Sequence, residues 1–182
     1  MGRNKALLPG PQGEGTLLDL ACDTAAQALK AAGCAEDAVF VSGNYPGYRF
    51  IEDEITGAGP LCGMHAALSR LGADCYGWIL FLPVDMPGLD PQTLARLYLE
   101  RNEESLGASF TESELPLMLK VSETTRHCVS QMLLDTSLGH SQRSVAGLIS
   151  RLSMQRLSCS GQQRFANLNT AQDYSIWLGE RP

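Results

Sequence analysis

A chain of 182 residues with 44% hydrophobic content is long enough for one domain with a packed core. Charged residues at 19% and aromatics at 7% exclude a disordered tail and a coiled coil, and a formal net charge of -6 excludes broad nucleic-acid binding through a basic surface. No apolar run reaches the length of about 18 residues that a membrane span needs, and Met1–Lys5 has no long apolar stretch behind it of the kind a secretory signal carries.

In chain order, Thr16 to Ala32 reads as an amphipathic helix. Thr16 is its N-cap, Leu17, Leu20, Ala21, Ala28 and Leu29 keep helical period, and Gly33 sits at the C′ position. Ala38 to Val41 is a short buried strand that runs into the turn Ser42-Gly43-Asn44. Arg49 to Ile51 is a second short strand before Glu52-Asp53-Glu54. Gly57-Ala58-Gly59-Pro60 is a loop, and Pro60 opens a helix that buries Met64, Ala67, Leu68 and Leu71. Trp78 to Leu82 is a continuous apolar strand expected to be covered on both faces. It ends in Pro83-Val84-Asp85-Met86-Pro87, and Asp90-Pro91 then starts a helix running to about Asn102.

The second half predicts strands at Ala108–Phe110 and Leu115–Val121, with Pro116 at an edge or bulge. Thr124–Leu134 and Ser144–Leu152 read as helices, Gln155–Ser158 as a short strand and Thr170–Leu178 as a closing helix. Strands alternating with helices across short connections give an α/β class with a mainly parallel sheet.

Six cysteines lie no closer than 12 residues apart, so no Cys-x-x-Cys pair exists, and His65, His127 and His140 have no metal-ligand spacing. Reduced thiols in a cytoplasmic protein are the expectation.

Ligands of open α/β sheets gather at the carboxyl ends of strands, and three such ends carry polar residues: Ser42-Gly43-Asn44, Glu52-Asp53 and Asp85. A carboxylate at the end of an apolar strand is costly to hold without a cation or donors, so Asp85 reads either as a Mg²⁺ ligand beside a phosphate or as the cap of the following turn. Gly59-Pro60-Leu61-Cys62-Gly63 offers backbone N–H groups to an anion or a base edge, or is simply a tight loop before a helix. By itself Lys5 is a solvated lysine, and Asn169 or Thr170 a helix cap.

Together these pieces are far more specific. Met1-Gly2-Arg3-Asn4-Lys5-Ala6-Leu7-Leu8 resembles the Met-Gly-x-x-Lys-x-Leu-Leu part of a nucleotidyltransferase signature. Val41-Ser42-Gly43-Asn44, Ile51-Glu52-Asp53, Gly59-Pro60-Leu61-Cys62-Gly63, Leu82-Pro83-Val84-Asp85-Met86-Pro87 and Phe165-Ala166-Asn167-Leu168-Asn169-Thr170 follow in the same family's order. Nearly the whole chain resembles the MobA family of molybdenum cofactor guanylyltransferases.

The resemblance implies a three-layer Rossmann-like nucleotidyltransferase fold and a single domain over residues 1–182. That family's signature places an apolar strand and a Leu-x-Gly-Gly-x-x-x-Arg loop ahead of Met-Gly-x-x-Lys, so the first strand of the sheet is expected to be missing from this chain. The implied reaction is guanylyl transfer from GTP to molybdopterin-bound molybdenum cofactor, with release of pyrophosphate. Lys5 and Asp85 would be catalytic, with Asp85 holding Mg²⁺. Gly2, Lys5, Ser42, Asn44, Asp53, Gly59, Pro60, Leu61, Gly63 and Asp85 would contact the nucleotide, and Asn167 and Asn169 the pterin. Transient complexes with molybdoenzymes or cofactor-delivery proteins fit so labile a substrate, with the chain itself a monomer or weak oligomer. Two other readings stay open: an inactive relic that binds nucleotide or a partner, and a relative that transfers a cytidylyl group or acts on a sugar phosphate.

Overall fold

The computed structural model describes residues 4–35, 38–57, 59–71, 77–135, 137–139 and 141–179. The chain divides into two compact units, each assembled from separate stretches of sequence. One comprises Met1–Ala38, Leu82–Leu99 and Cys159–Pro182, the other Val39–Phe81 and Glu100–Ser158.

In the first unit Lys5–Leu7 forms a short 3-10 turn, capped where the Asn4 side chain accepts the Ala6 N–H. Helix α1, Leu17–Ala31, starts at a reciprocal cap: the Thr16 hydroxyl accepts the Asp19 N–H at 3.2 Å and the Asp19 carboxylate accepts the Thr16 N–H at 2.7 Å. It stops at Gly33, whose φ of +73° is the left-handed conformation that glycine adopts without strain. Leu17, Leu18, Thr24 and Ala28 are buried, while Leu20, Ala21 and Leu29 are only half-buried. The buried stripe thus includes a threonine, tolerated because its hydroxyl donates to the Leu20 carbonyl at 2.8 Å.

A second helix of this unit, α3 (Pro91–Leu99), packs on α1. The Asp90 carboxylate accepts the Thr93 N–H at 2.8 Å, the capping expected from Asp90-Pro91. The helix ends three residues before Asn102, because the Asn102 N–H goes to the Gln155 side chain at 2.7 Å rather than back into a helical turn. Arg164, in the 3-10 turn Gln162–Phe165, donates to Asp90 at 2.6 Å and to Thr93 at 2.7 Å. The closing helix α6, Ala171–Trp177, has the Thr170/Asp173 version of the reciprocal cap.

The second unit carries both sheets seen among the described residues. Strands β1 (Val41–Ser42) and β2 (Phe50–Ile51) pair in parallel. The other sheet has the order β3 (Trp78–Phe81), β5 (Leu117–Lys120), β4 (Gly107–Phe110), β6 (Gln155–Leu157). β3–β5 and β4–β5 are antiparallel, and β4–β6 is parallel. The sheet is therefore mixed rather than mainly parallel. Residues 111–116 are too few for a crossover, so β4 and β5 must form a hairpin, and this reverses β5 against both neighbours. Pro116 lies in that connection, just outside the ladder.

The strand expected to be covered on both faces, β3, is instead half-buried along its length. Among the described residues it is an edge strand of its sheet, whereas β4 is buried along its whole length and β5 at Leu117, Met118 and Leu119. Around β5, α2 (Pro60–Leu71), α4 (Glu123–Leu134) and α5 (Val145–Arg151) supply Leu61, Met64, Leu68, Val129, Met132 and Leu148 to one apolar core. β1 is shorter than the expected Ala38–Val41 run, because only Val41 and Ser42 meet partners in β2.

Candidate functional site

The sequence-predicted residues fall into two groups, each within its own unit. Gly2 lies outside the described residues.

In the first unit the Lys5 ammonium donates to Asp85 Oδ2 at 3.0 Å and to Asn169 Oδ1 at 3.0 Å. Lys5 comes from the early 3-10 turn, Asp85 from the proline-flanked turn after β3, and Asn169 from the loop before α6. The loop is tied down on both sides: the Leu168 N–H donates to the Asp85 carbonyl at 2.8 Å, and the Asp173 carboxylate accepts the N–H groups of Asn169 at 2.9 Å and Thr170 at 2.7 Å. Tyr174 adds a bond from its hydroxyl to the Pro9 carbonyl at 2.6 Å, so α6 also grips the segment that carries Lys5.

Side-chain exposures of 31% for Lys5 and 27% for Asp85 leave the pair open to an incoming ligand. Lys5 is thus no freely solvated lysine. Asn167 is exposed and is not drawn into this group through its side chain. Asp173 was missed at the sequence level, although the spacing Thr170-x-x-Asp173 before a helical run is a legible signal.

The second unit holds the other group. Parallel pairing of β1 with β2 places their carboxyl ends side by side. The Ser42 hydroxyl donates to Asp53 Oδ1 at 3.1 Å, and the Asn44 amide donates to Glu52 Oε1 at a long 3.5 Å. Ser42, Asn44 and Asp53 are all exposed. Gly63, in the first turns of α2, lies against this pair: a Cβ there would stand 2.7 Å from Ser42 Oγ and 3.5 Å from Asp53 Oδ1, so the Ser42 hydroxyl would have to turn away.

Gly59 precedes α2 with φ of +60°, and its carbonyl accepts the Cys62 N–H at 3.1 Å. Leu61 is fully buried in the core, backbone included, and presents no surface to a ligand. The segment is therefore a helix start with part of its N–H complement already used, not an open loop of free donors.

Among the described residues no group of three or more His, Cys, Asp or Glu side chains could hold a metal ion. Cys22, Cys34 and Cys128 are free thiols; Cys75 and His140 lie outside the described residues. Burial, helped by the Asp19 and Asp23 carboxylates, pushes the Cys22 thiol up, and burial does the same to Cys128 against the pull of Arg151. Neither is poised as a nucleophile. No helix among the described residues is long and apolar enough to cross a membrane.

Known proteins resemble this chain throughout. It is 30% identical over 184 residues to a molybdenum cofactor guanylyltransferase of Xanthomonas euvesicatoria pv. vesicatoria (strain 85-10), across 100% of this chain and 89% of that protein. A molybdenum cofactor guanylyltransferase of Yersinia pestis (strain Pestoides F) is 30% identical over 137 residues, 74% of this chain and 67% of the relative. Among solved structures, molybdopterin-guanine dinucleotide biosynthesis protein A from Archaeoglobus fulgidus matches with a TM-score of 0.67 at 18% identity, over 96% of this chain and 89% of the other. For 2-C-methyl-D-erythritol 4-phosphate cytidylyltransferase from Thermus thermophilus the TM-score is 0.60 at 19% identity, over 96% and 92% of the two chains. These structural likenesses carry the fold, an α/β nucleotidyltransferase architecture. Residues 1–151 match the family described as MobA-like NTP transferase domain, and the chain belongs to that family.

Proposed function

We propose that this chain transfers a guanylyl group from GTP to molybdopterin-bound molybdenum cofactor and releases pyrophosphate. The observation that carries this reading is the half-buried, solvent-accessible Lys5–Asp85 pair, a cation and a carboxylate 3.0 Å apart in a member of a nucleotidyltransferase family. The names of the two relatives that are 30% identical support the choice of acceptor.

In this reaction the terminal phosphate oxygen of the pterin forms a bond to the α-phosphorus of GTP. The bond from that phosphorus to the bridging oxygen breaks, and the electron pair leaves with pyrophosphate. The nucleophile is already anionic near neutral pH, so positioning and charge stabilisation are the main demands on the protein. Lys5 meets the second demand by neutralising the triphosphate.

Asp85 is the residue for Mg²⁺. That ion keeps several waters and takes one or two carboxylates together with phosphate oxygens, so a single exposed carboxylate fits it without a protein cage. Bound there, Mg²⁺ supplies further neutralisation of phosphate charge. Ser42, Asn44 and Asp53 are assigned to the nucleoside, with Gly63 against Ser42 and Asp53 and residues 59–60 at the start of the same helix, and Asn167 to the pterin. A cytoplasmic enzyme that meets its molybdoenzyme partners transiently completes the reading.

A second reading is favoured by the likeness to a cytidylyltransferase structure over 96% of the chain. Incubation with molybdenum cofactor, Mg²⁺ and either GTP or CTP separates the two, with pyrophosphate release and the dinucleotide product as readouts. Product from GTP is expected; product from CTP alone overturns the guanylyl assignment.

A further inference from the structure

Family resemblance would give Asn169 to the pterin, but its geometry points elsewhere. Asn169 Oδ1 accepts directly from Lys5 Nζ at 3.0 Å, across 164 positions of sequence. Three consecutive residues act on one ion pair. Leu168 binds the Asp85 carbonyl, Asn169 binds the Lys5 ammonium, and Thr170 starts the helix whose Asp173 carboxylate fixes the Asn169 N–H at 2.9 Å.

A lysine ammonium has three donors. Asp85 and Asn169 take two of them, which orients the group and leaves one for an incoming phosphate. The two acceptors differ in kind. Asp85 offsets part of the lysine charge, whereas the neutral amide of Asn169 restrains the ammonium without offsetting any of it.

We propose that Asn169 is a positioning residue for Lys5, holding the ammonium at the triphosphate rather than contacting the pterin. This rests on the guanylyltransferase reading for the triphosphate, though not for the Lys5 contact itself.

The test uses the intact protein. Lysines are trace-labelled with acetic anhydride and quantified by mass spectrometry, with the other two, Lys30 and Lys120, as internal references. GTP affinity is measured by calorimetry, and KM for molybdenum cofactor in the transfer assay. Asn169→Ala should raise labelling of Lys5 alone and weaken GTP binding, each by about 3- to 10-fold, with KM for the cofactor unchanged. Asn169→Asp keeps an acceptor oxygen but adds a carboxylate, so Lys5 labelling should stay at the wild-type level or below while GTP binding still weakens.

Unchanged Lys5 labelling in Asn169→Ala overturns the proposal. So does a rise shared by all three lysines, which marks a merely structural role, and so does a raised KM for the cofactor with unchanged GTP affinity. Wild-type protein that binds no GTP overturns the functional reading instead, and the labelling then still decides whether Asn169 holds Lys5.

Discussion

Lys5 and Asp85 stand 80 positions apart in sequence, yet the ammonium of one lies 3.0 Å from the carboxylate of the other. Both side chains remain about a third exposed, at 31% and 27%. A pair so open to water adds about 0–1 kcal/mol to stability, too little to be the reason for assembling it. On the proposed function, its value lies in presenting a cation and an anion to the nucleotide.

Asp85→Asn should therefore separate function from folding. Unfolding free energy should change by no more than about 1 kcal/mol, while Mg²⁺-dependent guanylyl transfer falls by about 100-fold or more. Thermal unfolding and pyrophosphate release measure the two. A variant that keeps its turnover would return Asp85 to the role of a turn residue.

On the proposed function, Lys5→Ala removes the charge that meets the triphosphate. GTP binding by calorimetry should weaken by about 10-fold or more, the scale of one lost hydrogen bond to a charged group. Unchanged affinity would make Lys5 a surface residue in function as well as in isolation.

Gly63→Ala probes the other group. Alanine raises helix propensity by about 1 kcal/mol, but its Cβ would sit 2.7 Å from Ser42 Oγ, an overlap that costs about 1–3 kcal/mol or forces the hydroxyl off Asp53. Net destabilisation of about 1 kcal/mol is expected, with weaker nucleotide binding. Adding Ser42→Gly should recover the stability but not the binding. A single variant as stable as the wild type, with unaltered affinity, would show that the Ser42–Asp53 bond is unimportant.

Acid should loosen the first unit through two aspartates. The Asp173 carboxyl is held below the ordinary 3.8, first by the Thr170 N–H and then by the Thr170 hydroxyl, with the Asn169 N–H and the Lys5 charge adding to them against burial. At Asp90 burial pushes the carboxyl up, but bonds from Thr93 and the Arg164 guanidinium outweigh it and the net direction is down. A carboxyl lowered in the folded state stabilises above its unfolded value and loses that stabilisation as pH falls through the folded one. Unfolding temperature should thus be insensitive to these groups above about pH 5 and fall as the pH drops below 3.8. Asp173→Asn should flatten that acid limb; an identical limb in the variant counts against the assignment.

Helix starts were legible because their chemistry is local. Thr16 with Asp19, Asp90 with Pro91, and Thr170 each satisfy N–H groups within one turn, and α1, α3 and α6 begin where those residues place them. The candidate residues were legible as types and spacings through the family resemblance, and the family match over residues 1–151 agrees with it.

Strand direction was not legible, because a ladder belongs to two segments at once. β5 runs antiparallel on both sides as a consequence of the short hairpin from β4, which no apolar run announces. Nor was the burial of β3, which depends on how many partners a strand finds. Local caps, apolar stripes and the motifs that carry the family resemblance are written in the order of the amino acids. The grip of both Asp85 and Asn169 on Lys5 is not, because a 3.0 Å contact across 80 or 164 positions exists only once the chain has closed on itself.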